Sequence, residues 1–451
     1  MTTEAPNKTN TPLELLLVGD SDSQLLACEA IAQFPEDGPA VNITVNAIPR
    51  EGTPDGVLER ARALGKLWQL GLSQLLSHRL LMRFDAIGVF LTGSKLAYFR
   101  HAVSIIPGSY KPMLFCGFNG IVLSGFEEAI SWRLGYDLIC LNGPRDASAI
   151  KRMLADTPFE TQPFLTTGMQ RNIATKTPLL PADKRKKMLV FAEQVVIPSR
   201  QKDRQKLVRI LAELARRSPN WEVLIKPRIA PNEATFHRND QHISQTIQET
   251  IGHPPTNLQL DYRPLPEVLQ EARLMATVSS TALFDALDYG CKPVVMADFG
   301  NLPRSGGHVF VGSSVCHYFD KLTDLDSLEE QLEWPNPYWL EWVGYGKTHQ
   351  PAKLLEFIQD WKERQGSMSA PIDLEQPGYV VNSHNMSFNQ LRNSAEKAIR
   401  ARQFGEAAAS LELAQLIRPD HRNVRRRLVA LRRNHWIARR LGLLLSPRFN
   451  G

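Results

Sequence analysis

The sequence predicts an α/β protein built from two doubly wound, Rossmann-like halves facing a cleft, with a small α-helical appendage at the C-terminal end. Three observations carry this expectation. From residue 13 onward, short apolar runs with strand character alternate with amphipathic helical stretches, a pattern that builds parallel sheets covered by helices on both faces. The alternation halts at a basic, proline-containing segment, residues 171–187, and then starts again. After residue 365 the chain turns rich in Ser, Pro, Gly and Asn and then strongly basic and helical, which marks a linker and a separate unit.

The first half, residues 12–170, opens with "LELLLV", a buried-strand run, followed by the turn and amphipathic helix of "GDSDSQLLACEAIAQF". Four further pairs follow: "VNITVNAI" before a helix over 56–77, "FDAIGVFL" before 93–106, "KPMLFCG" before 125–134, and "YDLICLNG" before 144–155. A last strand is predicted at about Gln162 to Thr167. In the second half, residues 187–365, "KMLVFAEQ" precedes a long helix from Gln201 to Arg217, and "WEVLIKPR" precedes a loop and a helix over 240–251. Then come "NLQLD", a helix over 265–272, "LMATVSS", a helix over 281–289, and "KPVVMADFG". Ligands of open α/β sheets bind beyond the carboxyl ends of the strands, so the site is expected in the cleft between the halves. Residues 387–451 form the appendage. Within it, 388–421 fit one tetratricopeptide-like helical pair, with Ala395, Ala407, Leu411, Ala414 and Pro419 at the small, apolar and terminating positions.

Composition narrows the function. At 451 residues, with 43% hydrophobic and 22% charged residues, the chain is long enough for two or three cores and has the make-up of a globular protein. The N-terminal stretch is polar, no run is long enough to span a bilayer, and five scattered cysteines show neither zinc spacing nor a disulfide framework, so a cytoplasmic location is expected. From Met386 to Gly451 there are 14 Lys and Arg against 4 Asp and Glu; the net +10 leaves −4 for residues 1–385. An acidic body argues against nucleic acid as its partner. Neither G-x-G-x-x-G after a strand nor G-x-x-x-x-G-K-[ST] occurs, which disfavours dinucleotide oxidoreductases and P-loop NTPases.

One junction stands out. In "ATVSSTALFDALDYG" the strand ends at Ser279 and a helix starts near Thr281, so backbone N–H groups and the hydroxyls of Ser279, Ser280 and Thr281 can converge on a phosphate. Asp285, about one turn further, could take ribose hydroxyls. Simple helix capping and turn filling fit the same residues. Lys226 and Arg228 alternate at a strand end and suit phosphate or a sugar carboxylate, or plain surface solvation.

"TVSSTALFDALDYGCKPVVMADFG", "EVLIKPR" with "TFH" after it, "FAEQVVIPSR" and "LLLVGDSDS" resemble a bacterial family of glycosyltransferase-like proteins labelled as a domain of unknown function. The likeness spans about residues 12–320. More distantly, the hydroxyl junction resembles that of GT-B sialyltransferases and capsule-building Kdo transferases. The resemblance implies a GT-B fold with a nucleotide-sugar donor on the second half and the acceptor on the first. It implies donor-binding roles for Gln194, Arg200, Lys226, Arg228, His237, Ser279, Ser280, Thr281 and Asp285. Two departures stand: Lys226-Pro227-Arg228 replaces a Lys-Pro-His-Pro motif, and Asp285 replaces a Glu.

An inverting transfer needs a group that takes the acceptor proton; Asp20 or Asp22 of the first strand-to-helix turn could do so, although acidic residues also suit a helix start, where Ser21 and Gln24 make a capping box. His101 and Glu127 are further cleft candidates. The expected activity is sugar transfer from a nucleotide-sugar donor to a glycan or lipid-linked acceptor in surface polysaccharide synthesis, with the nucleotide sugar a co-substrate and no cofactor or metal. A sugar-nucleotide epimerase of the same architecture and a non-catalytic scaffold binding proteins through the helical end are the alternatives. The tail "RNVRRRLVALRRNHWIARRLGLLLSPRF" can form a basic helix with an apolar stripe of Val424, Leu428, Leu431, Ile437, Leu441 and Leu444. Such a helix suits an anionic membrane surface, placing the protein at the inner face of the plasma membrane, or it caps the helical pair or docks another protein.

Overall fold

Leu13–Gly19 (β1) is apolar at nearly every position and buried along its length, as a strand covered on both faces must be. In the computed structural model, which describes residues 11–34, 38–49, 53, 55–76, 78–91, 93–104, 111–123, 125–169, 178–228, 230–231, 241–346, 348, 351–364, 387–402, 404–418, 421–431, 433 and 436–445, β1 lies near the middle of a seven-stranded sheet. The other strands of the sheet are Val41–Ala47 (β2), Lys66–Trp68 (β3), Ala86–Phe90 (β4), Met113–Cys116 (β5), Leu138–Leu141 (β6) and Phe164–Thr166 (β7). The order is β3-β2-β1-β4-β5-β6-β7, parallel throughout.

The second sheet repeats the plan. Lys186–Ala192 (β8), Glu222–Lys226 (β9), Leu258–Leu260 (β10), Ala272–Thr277 (β11), Lys292–Met296 (β12) and Cys316–His317 (β13) run in the order β10-β9-β8-β11-β12-β13, also parallel. Each sheet carries one apolar cluster per face. Both reverse direction at their first strand, between β1 and β4 and between β8 and β11, which opens a crevice at the strand ends. Two doubly wound sheets about a shared cleft are the GT-B arrangement that the resemblance implies. All five cysteines are free. No helix among the described residues is long and apolar enough to cross a membrane.

Several expectations are corrected. The helix foreseen over 56–77 ends at Leu64, and β3 adds an edge strand after it. Gly65 permits this: a Cβ there would overlap the Ile43 carbonyl of the neighbouring strand. The segment read as linker up to residue 187 is structured at its end, because the Arg185 side chain is buried and donates to the carbonyls of Leu180, Leu269, Ala272 and Tyr289 at 2.5–3.0 Å. Those last three carbonyls close two helix ends, where a cation is favoured, and burial pushes the Arg185 pKa below its usual value. The helix Ala352–Glu363, read with the second half, returns to the first. Leu354, Leu355, Ile358 and Trp361 complete one face of its core, and Lys362 pairs with Asp85 at 3.0 Å.

The chain thus passes between the halves twice, and the passages touch. Met169 N donates to Gly344 O at 2.9 Å. Gly344 has φ +93°, and a Cβ there would overlap the Asn142 carbonyl, so no other residue fits this crossing without displacing it.

In the C-terminal unit, helices Phe388–Arg400 and Phe404–Ile417 pack through Ala395, Ala407, Leu411 and Ala414, all fully buried. Pro419 lies outside the described residues. The basic tail is two helices rather than one, Arg422–Leu431 and Trp436–Leu445. Val424, Leu428 and Leu431 are buried against the helical pair, and Arg427 is buried in an ion pair with Glu396. Leu441, Leu444 and Leu445 stay exposed.

Candidate active site

Strand ends from both sheets line one cleft of about 610 Å3. Its floor on the first half is braced by amides. Asn119 donates to Ser23 Oγ at 3.0 Å, and buried Asn142 donates to Gly120 O at 3.0 Å and Asp146 Oδ2 at 3.1 Å. The turn after β5, "GFNG", is held from below by Arg133, whose guanidinium donates twice to Gly117 O, at 2.9 and 3.1 Å, and lies 4.0 Å from the Phe118 ring centroid. Gly120 has φ +122°, and a Cβ there would meet Thr281 of the other half at 3.6 Å. The positive φ is what calls for glycine here, since 3.6 Å is ordinary van der Waals contact.

On the second half, the turn after β8 is braced by a buried ion pair, Arg204 to Glu193 at 2.9 Å, with a further bond from Arg204 to Val195 O at 3.1 Å. Gln194 bridges this turn to the end of β11. Its Oε1 accepts the Ser279 N–H at 2.9 Å and sits 3.4 Å from Thr277 Oγ1. Thr277 Oγ1 also accepts the Ser280 N–H at 3.2 Å, and Ser280 Oγ accepts the Ala282 N–H at 3.2 Å.

The hydroxyl junction is therefore only partly what the sequence suggested. Ser279 is fully buried and does not line the cleft. The N–H groups of Ser279, Ser280 and Ala282 bond within the protein, so Thr277 and Ser280 act as turn and cap. Ser280 and Thr281 both line the cleft, and the Thr281 hydroxyl makes no hydrogen bond among the described residues. Asp285, Lys226 and Arg228 line the same wall. Lys226 Nζ donates to Pro227 O at 3.0 Å.

Of the two acidic candidates, Asp22 lines the cleft and pairs across it with Arg228 at 3.2 Å, both side chains being about half exposed. Asp20 is buried, absent from the lining, and holds Lys95 at 2.6 Å. One strand-to-helix turn has thus sent two nearby carboxylates to different environments: Asp20 directly follows the end of β1, whereas Asp22 opens the helix Asp22–Ile31. Arg200 occupies the exposed N-cap position of the helix Gln201–Arg217, with no capping bond from its side chain, and is not among the lining residues. Glu127 sits exposed in the first turn of Phe126–Ser131 and is likewise absent from the lining. His237 and the His101 side chain lie outside the described residues. Among those residues, no group of three His, Cys, Asp or Glu could hold a metal ion.

Sequence reasoning missed Asn119, Gly120 and Asn142. The only trace of them is a pair of glycines after one strand and an Asn-Gly after the next.

No curated protein sequence matches the chain. Solved structures similar to it include S. aureus MnaA with UDP (12% identity, TM-score 0.48, 78% of this chain and 97% of that one) and Neisseria meningitidis UDP-GlcNAc 2-epimerase bound to UDP-GlcNAc (11%, 0.46, 78% and 100%). Acinetobacter baumannii MurG is similar at 12% identity and a TM-score of 0.40, over 78% of this chain and 100% of that one. None of these likenesses bears on chemistry. A family model does match, over residues 15–357, most of the chain. The chain belongs to the family described as "Putative glycosyltransferase (DUF6716)", and with its two Rossmann-like halves about a cleft it is a glycosyltransferase of GT-B architecture.

Proposed function

We propose that the protein transfers a sugar, with inversion, from a nucleotide-sugar donor to an acceptor hydroxyl on a glycan or lipid-linked molecule of a surface polysaccharide. The observation that carries this reading is the cross-cleft arrangement itself: Thr281, Lys226, Arg228 and Asp285 on one wall, Asp22 on the other. The donor phosphate meets the two cations and the Thr281 hydroxyl, and Asp285 takes the ribose. Gln194 acts as the strut of this wall. Electrostatic stabilisation of the leaving phosphate is the large term in such a reaction. The acceptor oxygen bonds to the anomeric carbon as the bond to the donor phosphate breaks. The nucleotide leaves with the electron pair, and Asp22 takes the acceptor proton.

The exposed Leu441, Leu444 and Leu445 with Arg440 on the last helix support docking of that helix on an anionic membrane surface. Thermal shift with CMP-, UDP- and GDP-sugars tests the donor reading: at least one raises the melting temperature. Stabilisation by none would sink it. Donor consumed without any acceptor would favour an epimerase.

A further inference from the structure

The cleft is not chemically uniform along its length. The helix Asp22–Ile31 starts at the proposed base and runs away from it, and Asp22, Leu26 and Ala30 recur on it every fourth residue. That spacing puts them along one line of the helix, and all three line the cleft. At 1.5 Å per residue the line extends about 12 Å from Asp22 to Ala30. Beyond the carboxylate it is apolar. Val57 of the neighbouring helix Asp55–Leu64 lines the same cleft, as does the exposed Val196 of the second half. Arg60, on the helix that carries Val57, also lines the cleft, with its guanidinium engaged in an ion pair with Glu29.

A glycan laid along this line would press hydroxyls against methyl groups that return no hydrogen bonds, which costs free energy for every hydroxyl stripped of water. An aliphatic chain removes apolar surface from water on both sides instead. The line is also continuous with the proposed reaction centre, so whatever occupies it is covalently close to the reacting hydroxyl.

We infer that the acceptor is an amphiphile: its hydroxyl meets Asp22, and its aliphatic segment lies along Leu26 and Ala30 beside Val57. This rests on reading Asp22 as the acceptor-side base, and it narrows the acceptor from glycan or lipid-linked to one with an apolar chain within reach of the transferred sugar.

The test is isothermal titration of the full chain with decyl β-maltoside below its micelle concentration and with maltose. The decyl compound is expected to bind at least tenfold more tightly. Ala30→Trp, which fills the line at a half-buried position, removes that advantage while the nucleotide-sugar thermal shift is unchanged, and that shift also reports that the variant is folded. Should Ala30→Trp lose the shift, Leu26→Asn takes its place, with the same loss of alkyl advantage expected. Equal affinity for the two probes overturns the inference. So does an alkyl advantage that persists in whichever variant is folded. A parent protein that responds to no nucleotide sugar counts against the donor reading, whereas the alkyl comparison still judges the apolar line, so the two failures are distinct.

Discussion

Replacing Gln194 by Leu separates a strut from a ligand contact. Gln194 Oε1 accepts the Ser279 N–H at 2.9 Å, and Ser279 is fully buried, so water cannot take over as acceptor. Thr277 Oγ1, 3.4 Å from the same oxygen, has a second acceptor in Ala192 O at 3.3 Å and loses little. The bond from Gln194 Nε2 to Ser279 Oγ, at 3.4 Å, is long and weak. Leucine keeps the volume and opens no cavity. The dominant cost is one buried N–H without an acceptor, about 1–3 kcal/mol. Urea unfolding followed by tryptophan fluorescence should show that loss, since Trp221 is buried in the core of the second half. Nucleotide affinity falls with it, because the turn bearing Ser280 and Thr281 is untethered. Gln194→Glu keeps an acceptor oxygen and restores stability, but it sets a carboxylate on the donor wall and weakens nucleotide binding about tenfold, or 1.4 kcal/mol. A Leu variant as stable as the parent would refute the strut. A Glu variant that binds nucleotide as tightly as the parent would refute a phosphate near this turn.

Thr281→Val should lower nucleotide affinity at least tenfold, at about 1.5–3 kcal/mol for a hydroxyl bonded to a charged oxygen, with stability unchanged; titration calorimetry reads it. Ser280→Ala should cost about 1 kcal/mol of stability through the lost bond to Ala282 N, read in urea unfolding. Burial pushes the Asp137 carboxyl from 3.8 up to about 7, against the opposing hydrogen bond from Leu114 N. Between those values the folded state binds more protons than the unfolded one. The contribution is therefore complete below about pH 4 and is lost as pH rises through 7, at up to 1.4 kcal/mol per unit; Asp137→Asn should flatten the slope in denaturation measured from pH 4 to 8. Leu441→Glu with Leu444→Glu should abolish salt-sensitive sedimentation with anionic vesicles, where each basic residue contributes on the order of 1 kcal/mol, and should leave the melting temperature unchanged because both side chains are exposed.

Elements whose cause is local were legible in the sequence. The helix Gln201–Arg217 has the bounds its periodicity implies, and the core strands such as β1, β4, β8 and β12 stand out because strands buried on both faces are largely apolar. Three-residue β3 was not legible, since its cause is a close approach of Gly65 to a strand some twenty residues earlier. The same holds for the site. Lys226, Arg228 and Asp22 were found because charge at a strand end is visible in one dimension. Which of Asp20 and Asp22 meets solvent depends on Lys95 and Arg228, far away in the chain. That Ser279 serves Gln194 rather than a ligand is a tertiary fact, and nothing in "SST" announces it.

The return of Ala352–Glu363 to the first half bears on how the molecule is made. A nascent chain emerges from its N-terminal end, yet the face of the first sheet that Leu354, Leu355, Ile358 and Trp361 cover stays bare until the entire second half has been translated. Until then the first half lacks four of the residues of that core cluster. A ribosome stalled anywhere before residue 352 leaves an apolar face open to chaperones and to other nascent chains. Translation past Glu363 is what seals the first half.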